Sequence, residues 1–207
     1  MTACLFPRVS APQENHDFIP RRILMTRTTA LLFILALCSA TAMQAQAQAP
    51  KPDPALKKLL PLVGHWTYEG ESKPGPLGPG GKFGGEYIAK MLLGGFFMQG
   101  VEREKGAAGE MTALGIEAYD PTHGNFTSNW YYANGNVFSG TLTVDGNTFT
   151  WAGKLLVAGK QYLMKEPMTV EPDLMSATVK SDISVDGKTW LPALEGRVVK
   201  VKPAPNK

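Results

Sequence analysis

Two segments of alternating apolar and polar residues flank Asp145-Gly146 in the middle of the chain. An Asp-Gly pair between such segments is typical of a two-residue β-hairpin loop. The register set by this loop gives one apolar face, with Leu142 opposite Phe149, Gly140 opposite Trp151 and Phe138 opposite Gly153. On the other face it pairs Thr143 with Thr148 and Thr141 with Thr150. We therefore predict a hairpin with one buried face, whose alternation of large and small residues is typical of a small closed barrel.

A second turn precedes this hairpin, at Asn134-Gly135. A two-residue loop there would turn Trp130 and Phe126 towards solvent. A three-residue loop with Gly135 in the left-handed conformation keeps both rings on the buried face, and burial of two large aromatic side chains should decide the register. We predict this longer loop, over residues 133–135, with the pairs Trp130–Phe138 and Phe126–Leu142.

Similar alternating segments, separated by Gly, Pro, Asn and Asp, recur along the rest of the chain. Besides the hairpin, strands are predicted from residue 64 and over residues 86–93, 96–104, 110–119, 125–132, 161–170, 174–185 and 189–201. Short strands at even spacing are typical of sandwiches and barrels. The fold prediction is all-β, a single antiparallel up-and-down barrel of about ten strands, of the lipocalin or calycin type.

Two segments near the start of this barrel are predicted to lie at its ends. Leu56, Leu59, Leu60 and Val63 recur at helical spacing behind Pro54, which predicts a short N-terminal helix that closes one end. Residues 73–85 are rich in glycine and proline and cannot hold regular structure. Because strands continue on both sides of it, we interpret this segment as a loop at the rim of the barrel.

The first part of the chain is expected to be absent from the folded product. Residues 25–47 combine a basic start, an apolar run and a stretch of small residues, the pattern of a secretory signal peptide. Residues 1–24 are interpreted as a gene-model extension, residues 48–58 as a spacer and the start of the short helix, and residues 59–202 as the barrel domain. The protein is thus expected to be exported, to the periplasm or beyond, with no stable membrane insertion after cleavage.

Composition excludes several classes of site. Both cysteines, Cys4 and Cys38, fall in the leader, so the mature chain can hold neither a disulfide nor a cysteine metal site. The 21 basic and 18 acidic residues give a net charge of +3, which falls to +1 without the leader's four arginines and two acidic residues. No run of like charge indicates a nucleic-acid partner. His65 and His123 stand outside any metal-binding or catalytic motif, so neither a metal site nor a catalytic residue is predicted.

Several short motifs carry a resemblance to a known family. They are Leu62-Val63-Gly64-His65-Trp66, Leu93-Gly94-Gly95-Phe96-Phe97, Gly115-Ile116-Glu117-Ala118-Tyr119-Asp120 and Trp130. In order and spacing they resemble the bacterial domain-of-unknown-function family 1579, whose members are similar to lipocalin-type barrels. The resemblance implies a barrel from about residue 59 to 201, and it implies no catalytic residue.

The opening strand also resembles that of nitrobindin-type barrels, over Gly64 to Glu71. That resemblance would imply haem, held by a histidine near the C-terminal end. No histidine follows His123 in this chain, so no cofactor is predicted.

The candidate ligand-binding residues are mostly aromatic. Trp66, Tyr68, Phe126, Trp130, Phe138 and Trp151 are expected to face the barrel interior, where they either line an apolar pocket or fill it completely. Arg103 shares its strand face with Phe97, Gln99 and Val101; if that face is internal, Arg103 could bind an acidic ligand group. The alternative is an outward Arg103 that pairs with Glu102 or Glu104.

The leading functional hypothesis is non-catalytic binding of a small apolar ligand inside the barrel. A second is a cavity enzyme of the isomerase or hydrolase type, with Arg103 and Tyr68 or Tyr132 as polar participants. A third is an envelope protein-protein interaction module. These hypotheses predict different interiors: an apolar cavity for a binder, converging titratable groups for an enzyme, and a filled barrel with an exposed apolar patch for an interaction module.

Overall fold

The computed structural model describes residues 49–202, and the predicted extension 1–24 and signal peptide 25–47 lie outside them. Each strand pairs antiparallel with its neighbours in sequence, and the first pairs with the last, so the sheet closes into a barrel. The strands are β1 (Gly64–Ser72), β2 (Gly81–Leu92), β3 (Phe97–Gly106), β4 (Gly109–Asp120), β5 (Asn125–Tyr132), β6 (Val137–Asp145), β7 (Thr148–Val157), β8 (Lys160–Val170), β9 (Ser176–Ser184) and β10 (Leu191–Lys200). The prediction of an all-β, antiparallel up-and-down barrel of ten strands is confirmed.

One end of the barrel is covered by a 3₁₀-helix, Pro54–Leu62. Its buried residues are Leu56, Leu59 and Leu62, because three residues per turn bring every third side chain to one face. Leu60, expected in the buried set, is 50% exposed. The Asp53 carboxylate accepts a hydrogen bond from the amide of Ala55 at the start of the helix, and Trp66 Nε1 donates to the carbonyl of Leu62 at 2.9 Å. This indole bond joins the helix to β1.

A shorter 3₁₀ turn, Leu93–Gly95, links β2 to β3. Within residues 49–202, no helix is long and apolar enough to cross a membrane.

The two predicted loop registers have different outcomes. Residues 133–135 form the three-residue loop, with Gly135 at φ +83°, and the pairs Trp130–Phe138 and Phe126–Leu142 are confirmed. The predicted two-residue loop Asp145-Gly146 is wrong by one position, since Asp145 pairs with Thr148 and the loop is Gly146-Asn147. Gly146 takes the positive φ, +57°, at the first loop position, where glycine is favoured.

The shifted register changes the partners in the hairpin but keeps its buried face, because each pairing moves by two residues. Gly140 lies opposite Gly153, where a Cβ atom at Gly140 would come within 2.7 Å of the α-carbon of Gly153. Two facing glycines therefore let the backbones of β6 and β7 approach more closely than side chains would allow. Leu142 pairs with Trp151 and Phe138 with Leu155.

The segment interpreted as a rim loop is shorter than expected. It spans residues 73–80 and lies at the end of the barrel opposite the 3₁₀-helix, while β2 begins at Gly81. Gly85 belongs to β2, and a Cβ atom there would lie 2.7 Å from the Tyr68 hydroxyl on β1. A glycine in this strand thus makes room for an aromatic side chain of its neighbour.

The same packing recurs around Trp130, on β5. Its indole lies over Gly115, on β4, where a Cβ atom would overlap the ring, and its edge reaches Gly100, on β3. At Gly100 a Cβ atom would lie 2.6 Å from the Tyr87 ring and 2.7 Å from the Trp130 ring. Glycines on two strands therefore allow these rings to lie flat against the barrel wall.

We expect Gly115→Ala to destabilise the protein by about 1–3 kcal/mol, because the added methyl group must displace a buried indole. The measurement is urea unfolding followed by tryptophan fluorescence. Gly75→Ala is the matched control, since a Cβ atom at Gly75 meets nothing within 4 Å and its φ is not positive. A Gly115→Ala variant as stable as the control would contradict this account of the wall.

Candidate functional site

A cavity of about 470 Å³ lies inside the barrel, on the side away from the 3₁₀-helix. Its walls are mainly aromatic and aliphatic, and they include Tyr68, Trp130, Phe138, Trp151, Leu155 and Met164. The loops at the open end, among them residues 77–80 and 107–109, form its rim. This volume lies within the usual range of small-molecule sites, so the interior is a pocket and not a filled core.

A buried glutamate lies beneath the cavity and fixes part of its floor. Glu117, on β4, is fully buried, and its Oε1 atom accepts three hydrogen bonds. Ser128 Oγ donates at 3.0 Å, and Trp130 Nε1 and Trp151 Nε1 each donate at 3.2 Å. Because both indoles bond to one oxygen atom, Glu117 sets the positions of two cavity-lining rings.

Four further carboxyl groups line the cavity itself: Glu102 and Glu104 on β3, Glu166 on β8 and, at the rim, Glu110 on β4. In the closed ring of strands, β3 and β8 are five strands apart, so they form opposite walls. The charge of Glu166 contributes to the raised pKa of Glu102, so the two carboxyl groups influence one another across the cavity.

Burial gives these groups unusual acidities. It raises the pKa of Glu102 to about 7, with smaller contributions from the charges of Glu166 and Glu104. It raises the pKa of Glu166 to about 7 as well, against the opposing effect of the Ser181 hydroxyl. The pKa of Glu117 is raised to about 7 by burial despite its three donors, and burial also raises the pKa of Glu104. Near neutral pH the interior therefore holds carboxyl groups that can readily gain or lose a proton.

Hydroxyl groups complete the polar part of the interior. Tyr68, Tyr87 and Tyr132 line the cavity, and burial raises the pKa of each phenol, so all three stay protonated. The buried Tyr87 hydroxyl has no hydrogen-bond partner among the described residues, nor has the Ser181 hydroxyl, in a residue only 1% exposed. Both residues belong to the cavity wall, and the Ser181 hydroxyl lies close enough to Glu166 to lower the pKa of that carboxyl group.

The interior contains acids without bases. Among the described residues that line the cavity, none is lysine, arginine or histidine. Over the same part of the chain, no three His, Asp or Glu side chains come together as a metal site would require. The chemistry that the cavity offers is therefore apolar contact, hydroxyl hydrogen bonding and negative charge.

The structure separates the predicted site residues into three groups. Tyr68, Trp130, Phe138 and Trp151 line the cavity. Trp66 and Phe126 are buried outside it, in the core; Trp66 bonds to the 3₁₀-helix and Phe126 packs against Tyr119 with ring centroids 5.4 Å apart. The placement of Arg103 on an inner face is wrong, as described next.

Arg103 points out of the barrel. Its Nη1 atom donates to Glu86 Oε1 at 3.1 Å, and its side chain is 64% exposed. The alternative, an outward Arg103, agrees with this orientation, but its predicted partner is wrong, because alternation along β3 directs Glu102 and Glu104 inward. Arg103 cannot serve the cavity as a ligand group or as a polar participant in catalysis.

The residues that sequence reasoning missed are Glu102, Glu104, Glu117 and Glu166. On β3 the face with Phe97 and Val101 looks more apolar than the face with Glu102 and Glu104, so the alternation alone does not identify the internal face. The signal for the correct face is Gly100, which shares a strand face with Glu102 and Glu104, because a glycine in a strand marks the side on which a neighbouring ring needs space.

A row of apolar side chains runs across the outer surface of the barrel. Six positions that are paired in succession across β2 to β7 form a row, namely Ile88, Val101, Leu114, Tyr131, Val137 and Leu156. Four of them are exposed, from Ile88 at 38% to Tyr131 at 54%. This row is the surface on which the interaction-module hypothesis rests.

The raised pKa values of the buried glutamates predict that the stability of the protein depends on pH. The folded-state pKa of Glu117, about 7, lies above the ordinary value of 4.5. The contribution of protonated Glu117 to the free energy of unfolding is therefore complete below pH 4.5, and it is lost as the pH rises to about 7. At roughly 1.4 kcal/mol per pH unit, Glu117 alone accounts for a loss of the order of 3 kcal/mol. We expect Glu117→Gln to match the wild type at pH 4.5 and to be the more stable protein at pH 8.

Urea unfolding at several pH values measures this difference. Glu71→Gln, which changes a carboxylate that is 58% exposed, is the matched control and should keep the wild-type profile. Parallel profiles for the wild type and Glu117→Gln would show that Glu117 is not the group responsible.

Comparison with known proteins places the chain in a family. The profile described as "Protein of unknown function (DUF1579)" matches residues 51–200, and a search of the curated proteins finds no significant match. The fold is similar to that in the crystal structure of Rv2717c from M. tuberculosis, with 16% identity and a TM-score of 0.56 over 73% of this chain and 100% of that one. A de novo designed fluorescence-activating β-barrel, with 11% identity and a TM-score of 0.36 over 67% of this chain and 93% of that one, is too distant to support any inference. Since the profile covers most of its length, the chain belongs to the DUF1579 family.

Proposed function

We propose that this protein is exported and binds a small, largely apolar molecule inside its barrel, in the manner of lipocalins. Export is supported by the signal-peptide pattern at residues 25–47. Binding is supported by one observation above the others, the cavity of about 470 Å³ with a predominantly aromatic and aliphatic wall. A cavity of this size in a barrel that could be filled by its own side chains costs stability, so its presence favours a ligand.

The arrangement of the two ends fits this role. The 3₁₀-helix covers one end with Leu56, Leu59 and Leu62 buried, so a molecule has no route through that end. At the other end the cavity reaches short loops that include Gly78, Pro79 and Gly80. A ligand would therefore enter between these loops and rest against Trp130 and Trp151.

We expect the protein to bind the neutral fluorescent probe N-phenyl-1-naphthylamine saturably, and Val179→Trp to weaken this binding by roughly tenfold or more. Val179, on β9, lines the cavity, and an indole in its place would occupy the space that the probe needs. The measurement is fluorescence titration. A neutral probe is chosen so that its affinity reports apolar contact and not charge.

Val199→Trp is the matched control, because Val199 lies on β10 with 43% of its surface exposed, outside the cavity lining. This variant should bind the probe as the wild type does. Absence of saturable binding to the wild type, or equal effects of the two tryptophan variants, would refute a binding role for the cavity.

A second candidate function is an isomerase that moves a proton within an apolar substrate. It is favoured by the raised pKa values of Glu102 and Glu166, about 7 each, in a cavity that also presents the Tyr68 phenol. A carboxyl group with a pKa near the working pH can both accept and return a proton, and a protonated phenol can donate a hydrogen bond to a developing oxyanion.

We expect such an enzyme to exchange deuterium from D₂O into the position next to the carbonyl of a small β,γ-unsaturated ketone. The measurement is NMR of the ketone with wild type and Glu102→Gln. Loss of at least about 99% of the exchange in the variant would identify Glu102 as the base, in line with the usual contribution of general-base catalysis. Equal exchange with the variant and with the wild type, or exchange with the wild type no faster than in buffer alone, would exclude Glu102 from this role.

A further inference from the structure

We infer that the cavity selects an organic cation, a protonated amine carried on an apolar body, which it holds between carboxylates of opposite walls. This inference rests on the proposed binding function and adds the chemical class of the ligand. It starts from the distribution of charge in the cavity wall, where every ionisable side chain that can carry charge near neutral pH is a glutamate.

Six strands contribute titratable side chains to the wall of the cavity. They are Tyr68 on β1, Tyr87 on β2, Glu102 and Glu104 on β3, Glu110 at the rim on β4, Tyr132 on β5 and Glu166 on β8. Glu117 lies beneath the floor, and Glu110 pairs with Lys105 at 3.2 Å outside the barrel. An anionic ligand would therefore meet only acidic or neutral groups, and a cation would meet uncompensated carboxylates.

The geometry favours a cation in the middle of the cavity. Glu102 and Glu166 lie in walls five strands apart, so a cation between them is attracted by carboxyl groups on both sides. The aromatic wall adds ring faces, among them Trp130, Trp151 and Tyr132, which attract cations within about 6 Å. The remaining volume surrounds the cation with apolar surface, which fits an amine on a hydrocarbon or aromatic body.

Two unpartnered hydroxyls are a second and independent indication of a polar ligand. Ser181 is 1% exposed, and its Oγ makes no hydrogen bond of ordinary geometry among the described residues, although it lies in the cavity wall close enough to Glu166 to lower the pKa of that carboxyl group. The buried Tyr87 hydroxyl, on β2, also lacks a hydrogen-bond partner among the described residues. Buried hydroxyls are nearly always paired in folded proteins, so these two indicate that the site accommodates a molecule with polar hydrogens.

Cation binding should also displace protons. Glu102 and Glu166, with pKa values of about 7, each hold a proton for much of the time at pH 7. A cation between them stabilises their ionised forms and lowers both pKa values. Binding of an amine therefore releases protons near pH 7, whereas binding of a neutral molecule of the same shape does not.

The test compares three naphthalene probes of one shape: 1-naphthylmethylamine, which is a cation at pH 8, the neutral 1-naphthalenemethanol, and the anionic 1-naphthoate. Calorimetric titration at pH 8 should rank the amine roughly tenfold or more above the alcohol, with the acid weakest. Glu166→Gln should abolish the preference for the amine over the alcohol. Glu69→Gln, which changes an exposed outward carboxylate on β1, should leave both affinities unchanged.

A measurement on the wild type alone makes the test independent of any variant's folding. Titration of the amine at pH 7 in two buffers of different ionisation enthalpy should show net proton release, and titration of the alcohol should show none. If alcohol binds as tightly as amine, or no protons are released, the inferred cation selectivity is overturned while the binding function stands. If none of the probes binds, the proposed function falls with it.

Discussion

The barrel depends on the contact between aromatic rings and glycine backbones on adjacent strands. The Trp130 indole lies over Gly115 so closely that no side chain could stand there, and its far edge reaches Gly100 two strands away. Tyr68 lies against Gly85 in the same way. Rings that lie flat along the wall give the strands a large buried contact and leave the centre of the barrel empty. The cavity is thus a consequence of where the glycines stand, since rings directed towards the axis would fill it.

The second constraint on the barrel is its acidic interior. Buried carboxylates destabilise the fold, whereas the contacts between rings and glycines stabilise it. An isolated carboxylate in an apolar environment is strongly disfavoured, and the protein responds by raising the pKa of Glu102, Glu117 and Glu166 to about 7. Glu117 is partly compensated by Ser128 and two indoles, which makes it a structural element of the floor. Glu102 and Glu166 lack such a set of donors and face the open space instead. Groups that the fold leaves uncompensated in a cavity are more often functional than structural.

The two ends of the barrel differ in how their interiors are filled. At one end the 3₁₀-helix, Trp66 and Phe126 form a solid core, which keeps the barrel closed and the fold stable. At the other end, beyond Trp130 and Trp151, the cavity opens towards the loops at the rim. The solid core and the cavity therefore lie in different halves of one barrel.

By itself, the sequence determined the strands, their antiparallel order and the closed barrel, because the period-two alternation and the turn residues are local signals. It also determined the loop at Gly135, where burial of Trp130 and Phe126 allowed a single register. It could not settle the loop at Gly146, since both candidate registers bury the same face. Only the tertiary structure decided that Glu102 faces inward and Arg103 outward, because the inner face of β3 is recognised by the rings of Tyr87 and Trp130, which arrive from other strands. The raised pKa values of the cavity glutamates likewise arise from burial among residues distant in sequence, a property that no local pattern contains.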